Sequence, residues 1–222
     1  NSVSTVSTHD SSFLCAWWKF EAGTADERMF KRKCREKGIS FDAVKDKLFD
    51  LKNSLYGRLR WKESVRDTAV LLKELSLAEG QGGDFINIYR ESFGEKDKFL
   101  KYLDGKPEGG GLASNSQSHN PEGGGLASDS QSQPDISSLS EINRKAFEKS
   151  SASASIFSIQ LLPDILSVDC WNECDLWDFR INVPGTVSDK NWSLVMPLSL
   201  EDILALPMNN VIKNINTNTL RS

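Results

Sequence analysis

Thr8-His9-Asp10 sets an imidazole next to a carboxylate, and Trp17-Trp18 follows shortly after in the chain. A carboxylate beside a histidine can accept and order hydroxyl groups, and an indole such as Trp17 can stack on the apolar face of a sugar ring. The same residues also have a structural reading, in which Asp10 only caps the next helix and His9 is a satisfied side chain. A second polar group lies far along the chain: Arg180-Ile181-Asn182-Val183-Pro184-Gly185-Thr186, followed by Asn191-Trp192 and Met196-Pro197-Leu198. Pro184-Gly185 marks a turn, which reads as carrying an exposed Arg180 and a buried Trp192.

Metal chemistry is not expected. The soft ligands are Cys15, Cys34, Cys170, Cys174, His9 and His119, and only Cys170 and Cys174 are close in sequence. A structural zinc site needs two such close pairs. The thiols read as reduced cysteines of a cytosolic protein, and no cofactor is implied. Asn191-Trp192-Ser193 fits the N-glycosylation pattern, but no basic-then-apolar leader precedes it.

The elements that must hold these groups are of both kinds. Asn1–Thr8, rich in Ser, Thr and Val, reads as a strand ending at His9-Asp10, and polar residues at strand C-termini are where α/β barrels place catalysis. Phe13–Phe20 is an aromatic helical segment, and Thr24 with Glu27 predicts a capping box for the next helix, stopped by Gly38. From residue 40 to 106 the pattern is helical. Phe41, Val44, Leu48, Leu51 and Leu55 make one face, and Val65, Ala69, Leu72 and Leu75 a second. Phe85, Ile88, Ser92, Phe99 and Leu103 make a third.

Pro107–Ser114 then recurs as Pro121–Ser128, a 14-residue period. Its Gly, Ser, Gln and Pro offer little apolar surface to offset ordering entropy, so residues 107–138 are expected to be a linker. Residues 139–208 resume with a helix through Lys149, a buried strand over Ile156–Leu162, and a last helix capped by Ser199 and stopped by Pro207. Residues 209–222 are expected to be a frayed Asn/Thr-rich tail.

Taken together, these motifs resemble the 4-alpha-glucanotransferases, also called amylomaltases or disproportionating enzymes. Asn1–Trp18 resembles that family's S-T-H-D…W-W region. Leu162-Pro163-Asp164-Ile165-Leu166, Arg180–Thr186 and Asn191–Glu201 resemble its C-terminal L-x-D-x-L, R-x-N-x-P-G-T and N-W…M-P-L-S-L-E motifs, in the family's order. The resemblance implies a (β/α)8 barrel, an α/β fold of which residues 1–39 and 139–208 would be the C-terminal part and residues 40–106 a helical insertion. It implies retaining transfer of α-1,4-glucan segments between maltooligosaccharides. That chemistry uses a nucleophile and an acid/base carboxylate close together. Asp10 matches the family's third carboxylate, the transition-state stabiliser. His9, Trp17, Asp164, Arg180 and Asn182 match its substrate-binding positions. The nucleophile and acid/base would come from a segment before Asn1, the expected partner of this chain. The chain departs from the family at Pro163, usually Gln, at Leu194-Val195, usually aromatic-Arg, and at Cys15-Ala16, where an Arg or Ala often stands.

The 222 residues carry 27 Lys+Arg against 31 Asp+Glu, a net charge of −4, which argues against a nucleic-acid binder. The basic run Arg28, Lys31, Arg32, Lys33, Arg35 and Lys37 reads as a solvated helix face with Glu27 and Glu36 interleaved, the alternative being a nucleic-acid contact or nuclear address. A helical interaction module over Phe41–Leu103 is the other rival. No apolar run approaches the ~20 residues of a membrane span, and a cytoplasmic location is expected.

Overall fold

A computed structural model describes residues 2–105, 136–168 and 175–220 of the chain. The duplicated segment, His119 and the Cys170/Cys174 pair lie outside the described residues, apart from Ile136–Ser138, which begin a helix earlier than expected.

Two short segments make up the strand content at the chain's two ends. β1 (Val3–Ser4) pairs in parallel with β4 (Phe157–Ser158), in the register Val3↔Phe157 and Ser4↔Ser158. The parallel pairing agrees with the barrel expectation, but the lengths do not: the strands expected over Asn1–Thr8 and Ile156–Leu162 are two residues each. Ile156, Phe157 and Ile159 are more than half exposed, so this is not a buried strand. Pro163 lies in the first turn of α8 (Leu162–Leu166), where proline is favoured, so Leu162, the last residue of the expected strand, opens a helix instead. Among the described residues the sheets are two-stranded and no closed barrel is formed.

After β1 the chain makes α1 (Leu14–Ala16) and a π-helical turn over Trp17–Glu21. β2 (Thr24–Asp26) follows and leads into α2 (Glu27–Glu36). The cap of α2 is Asp26, which accepts from the Met29 N–H at 2.7 Å, rather than the expected Thr24. The Thr24 hydroxyl is engaged elsewhere, donating to the Glu21 carbonyl and accepting from Arg58 Nε. Gly38 does stop the helix, with φ +69°.

The stretch expected to be helical throughout contains α3 (Phe41–Leu48), α4 (Thr68–Glu74), α5 (Gly83–Ser92) and α6 (Glu95–Asp104), but a strand interrupts it. β3 (Arg58–Arg60) pairs antiparallel with β2, with Leu59 inward and the flanking arginines partly outward. Because α3 ends at Leu48, Leu51 and Leu55 leave the helical face and are exposed. Phe30, Leu48, Phe49, Trp61, Leu71 and Phe85 anchor the core of this body, with Phe30 edge-on to Phe49 and Phe85. Its basic run sits on α2, where Lys31 pairs with Glu27 and Lys33 with both Glu36 and Asp84.

The ends of the chain close over α7 (Ile136–Ser151). Leu14, Trp18, Leu103, Ile142 and Ala146 share one cluster. Ser199 caps α9 (Leu200–Ala205) as expected, accepting from the Asp202 N–H. The expected frayed tail is instead α10 (Met208–Asn218), which packs on α7 with Met208 and Ile215 buried. Its partly or fully buried Met208, Val211, Ile212 and Ile215 fall at helical spacing, enough to order it against α7 despite the Asn/Thr composition.

Candidate functional site

The loop between β1 and α1 carries His9 and Asp10, and one buried carboxylate fixes both of its ends. Asp164, on α8, accepts from the Ser7 hydroxyl through Oδ2 and from the Leu14 N–H at 2.8 Å through Oδ1. The Asp164 carbonyl in turn accepts from Asn143 Nδ2 at 2.7 Å and from Ser167 Oγ at 2.9 Å. Burial pushes the Asp164 carboxyl up to about 6, against the opposing pull of the Ser7 and Leu14 donors. Within the loop, Ser11 donates its N–H to the Thr8 carbonyl and accepts the Thr8 N–H at its hydroxyl, which sets the turn that presents His9-Asp10.

Asp10 lies in this turn rather than on a strand, and its side chain is half exposed. Its Oδ1 accepts from Asn182 Nδ2 at 2.7 Å, and its Oδ2 is 3.3 Å from His9 Nε2. The His9 ring lies 5.1 Å from the indole of Trp192. Trp192 is 65% exposed, the reverse of the buried role expected for it, and its φ of +62° is uncommon for a bulky residue. Its N–H donates to the Ile181 carbonyl at 2.8 Å, which binds the two halves of the C-terminal segment.

Arg180 is likewise the opposite of the exposed residue expected. Its side chain is largely buried and ion-paired to Glu21 at 2.9 Å, and it donates to Ser12 Oγ at 2.6 Å. Nε donates to the Asn182 carbonyl at 3.0 Å and Nη2 lies 3.5 Å from the Asp10 carbonyl. Arg180 therefore fixes the Asp10 loop and the Asn182 backbone together. The Pro184-Gly185 turn is tied back by Asn191, which accepts the Val183 N–H and donates to the Thr186 carbonyl. Beside it, a cleft of about 240 Å³ is bordered by Trp177, Arg180, Lys190 and Asn191.

The structure thus brings together His9, Asp10, Arg180 and Asn182, from opposite ends of the chain. It does not bring in the other two expected site residues. Asp164 is fully buried and acts on the loop from behind. Trp17 packs against Trp18 and Phe99, because its π-helical turn faces α6. The residues that sequence reasoning missed are Trp192, Ser12 and Glu21. A Trp-Ser pair shortly after a Pro-Gly turn is a weak pointer to an exposed indole, and nothing in the sequence pairs Glu21 with Arg180.

Among the described residues no group of His, Cys, Asp and Glu is placed to hold a metal ion, and no helix is long and apolar enough to cross a membrane. Burial pushes the Cys15 and Cys34 thiols up to about 11, so neither is a ready thiolate. The cluster presents a half-exposed, oriented carboxylate beside an imidazole and an open indole. That set suits ordering of sugar hydroxyls and stacking on a sugar face.

A family model described as 4-alpha-glucanotransferase, glycoside hydrolase family 77, matches residues 1–199 of the 222. The chain belongs to that family. No curated protein and no solved structure matches it.

Proposed function

We propose that His9, Asp10, Asn182 and Trp192 form the transition-state-binding part of a glucanotransferase site that moves α-1,4-glucan segments between maltooligosaccharides. The observation that carries this reading is the Asp10 carboxylate, half exposed yet fixed by Asn182 at 2.7 Å and His9 at 3.3 Å, in a chain of this family. In retaining transfer the sugar passes through an oxocarbenium-like state, and a fixed negative charge beside it stabilises that state more than the ground state. Asp10 supplies that charge and accepts sugar hydroxyls. His9 and Asn182 orient Asp10 and reach the same hydroxyls. Trp192 offers the stacking face that Trp17 does not. Arg180 and Asp164 hold the loop.

The covalent step needs a nucleophile and an acid/base carboxylate, which this reading assigns to polypeptide preceding Asn1. The setting proposed is cytoplasmic and free of cofactors. The test is to incubate the purified chain with maltotriose, alone and with the preceding part of the protein supplied as a separate polypeptide, and to look for glucose and longer maltooligosaccharides. Products from the mixture alone support the reading. Products from the chain alone place both catalytic carboxylates within it and refute that assignment. No products from a mixture that forms a complex argue against the transferase reading itself.

A further inference from the structure

Among the described residues, the helical body reaches the surroundings of the candidate site through a hairpin whose tip carries Tyr56. Residues 48–50 and 60–62 run antiparallel, through the Phe49↔Trp61 bridge and the Asp50 N–H to Arg60 carbonyl bond. Arg58 N–H to the Leu55 carbonyl closes a β-turn at the tip of this hairpin, with Tyr56 at φ +55° and Gly57 at φ +73°. Two left-handed central residues are the signature of a type I′ turn, where Asn, Asp or Gly fits without strain. A bulky aromatic at the first position is disfavoured by the backbone, so it is the side chain that accounts for its presence. The Tyr56 ring stacks flat on Trp177, 4.2 Å between centroids and 3° between planes. Its hydroxyl donates to Asp175 Oδ2 at 2.6 Å, and Phe20 packs edge-on against both rings. The Arg180 guanidinium lies 5.0 Å from the Trp177 ring. From there the contacts run to Ser12, Glu21 and the Asp10 carbonyl.

We propose that Tyr56 is a positioning residue: the hairpin tip holds the Trp177 plate, which holds Arg180, which fixes the loop bearing Asp10. The helical body then serves to order the site. The link to glucan chemistry rests on the reading above, whereas the physical coupling stands without it.

Hydrogen exchange of the intact chain, read by mass spectrometry, tests the coupling directly. In Tyr56→Ala, amides of residues 8–13 and 180–183 exchange about fivefold to tenfold faster, the scale of losing one stacked pair and its hydrogen bond. Amides of α2 and α5 are unchanged. Tyr56→Phe keeps the ring and restores near-wild-type exchange in both segments. Should Tyr56→Ala prove poorly folded, Tyr56→Leu keeps apolar bulk without a flat stack and shows the same acceleration. Unchanged exchange in residues 8–13, or equal acceleration across the helical core, overturns the proposal. Titration of the same proteins with maltotriose, each combined with the preceding polypeptide of the transfer assay, separates the two readings. Weaker binding in Tyr56→Ala, restored by Tyr56→Phe, supports both. Faster loop exchange with no maltotriose binding even in wild type leaves the coupling standing and removes the glucan assignment. Equal maltotriose binding in wild type and Tyr56→Ala with unchanged loop exchange removes the coupling alone.

Discussion

At the scale of single residues, Asp10 in the candidate site and Asp164 behind its loop stand in opposite environments, and different measurements separate them. Asp10 is half exposed and makes no contact that the core depends on. Asp10→Asn keeps an acceptor for Asn182 but removes the charge. In the reconstituted transfer assay it is expected to lower the rate by at least ~10²-fold, about 3 kcal/mol of transition-state stabilisation, with the melting temperature unchanged. A variant with wild-type transfer rates would remove Asp10 from the chemistry. Asp164 is fully buried, and its carboxyl is raised from an ordinary 3.8 to about 6 by that burial. The native state therefore holds this proton more tightly than the unfolded chain does. The group's contribution to stability is greatest below about pH 4 and falls as pH rises toward 6, by about 3 kcal/mol at most. Asp164→Asn keeps the Leu14 N–H bond and carries no such cost. Urea unfolding at pH 4 and at pH 7 should show the variant gaining about 2–3 kcal/mol on wild type between the two. A pH-independent difference would mean that Asp164 gives up its proton inside the fold as readily as in the unfolded chain, so that burial does not raise its carboxyl.

At the scale of elements, what the sequence made legible was governed by local signals. Gly38 as a helix stop and Ser199 as a cap were readable because each acts through its own backbone neighbourhood. The core faces of α3, α4 and α5 were readable in large part from the spacing of Val44, Leu48, Leu72, Leu75, Phe85 and Ile88. β3 was not, because three residues carry too little period to outweigh the helical pattern around them, and its partner β2 lies far back in the chain. Motif order pointed to His9, Asp10, Arg180 and Asn182, and the fold brings these four together as a candidate site. The burial of Arg180 and the exposure of Trp192 depend on Glu21, Ser12 and Ile181, contacts no local pattern encodes. α10 was misread on composition, although Met208, Val211, Ile212 and Ile215 keep helical spacing. Its packing gives a direct check. Ile215 is buried with Phe147 and Val168, so Ile215→Ala should cost about 2–4 kcal/mol in unfolding free energy. A frayed tail would lose almost nothing.

At the scale of the whole molecule, the two kinds of packing predict uneven stability. The helical body encloses Phe30, Phe49, Leu48, Leu71 and Phe85 with almost no exposure, and its aromatic rings pack edge to face. The β1–β4 pair is two residues long, and Val3, Ile156, Phe157 and Ile159 around it are each more than half exposed. Isolated two-stranded pairs are marginal in water, and local opening is cheapest where few apolar contacts must break. Native-state hydrogen exchange in rising urea should therefore lose protection first at residues 157–159, while α2 and α5 keep theirs until global unfolding. Supplying the preceding polypeptide of the transfer assay should slow exchange at residues 157–159 if its strands extend this pair, since each added strand satisfies an edge and covers the apolar side chains beside it. Protection at β4 equal to that of α2 in the chain alone would mean that the short parallel pair is self-sufficient, and the exposed Ile156, Phe157 and Ile159 would then need no further strand to cover them.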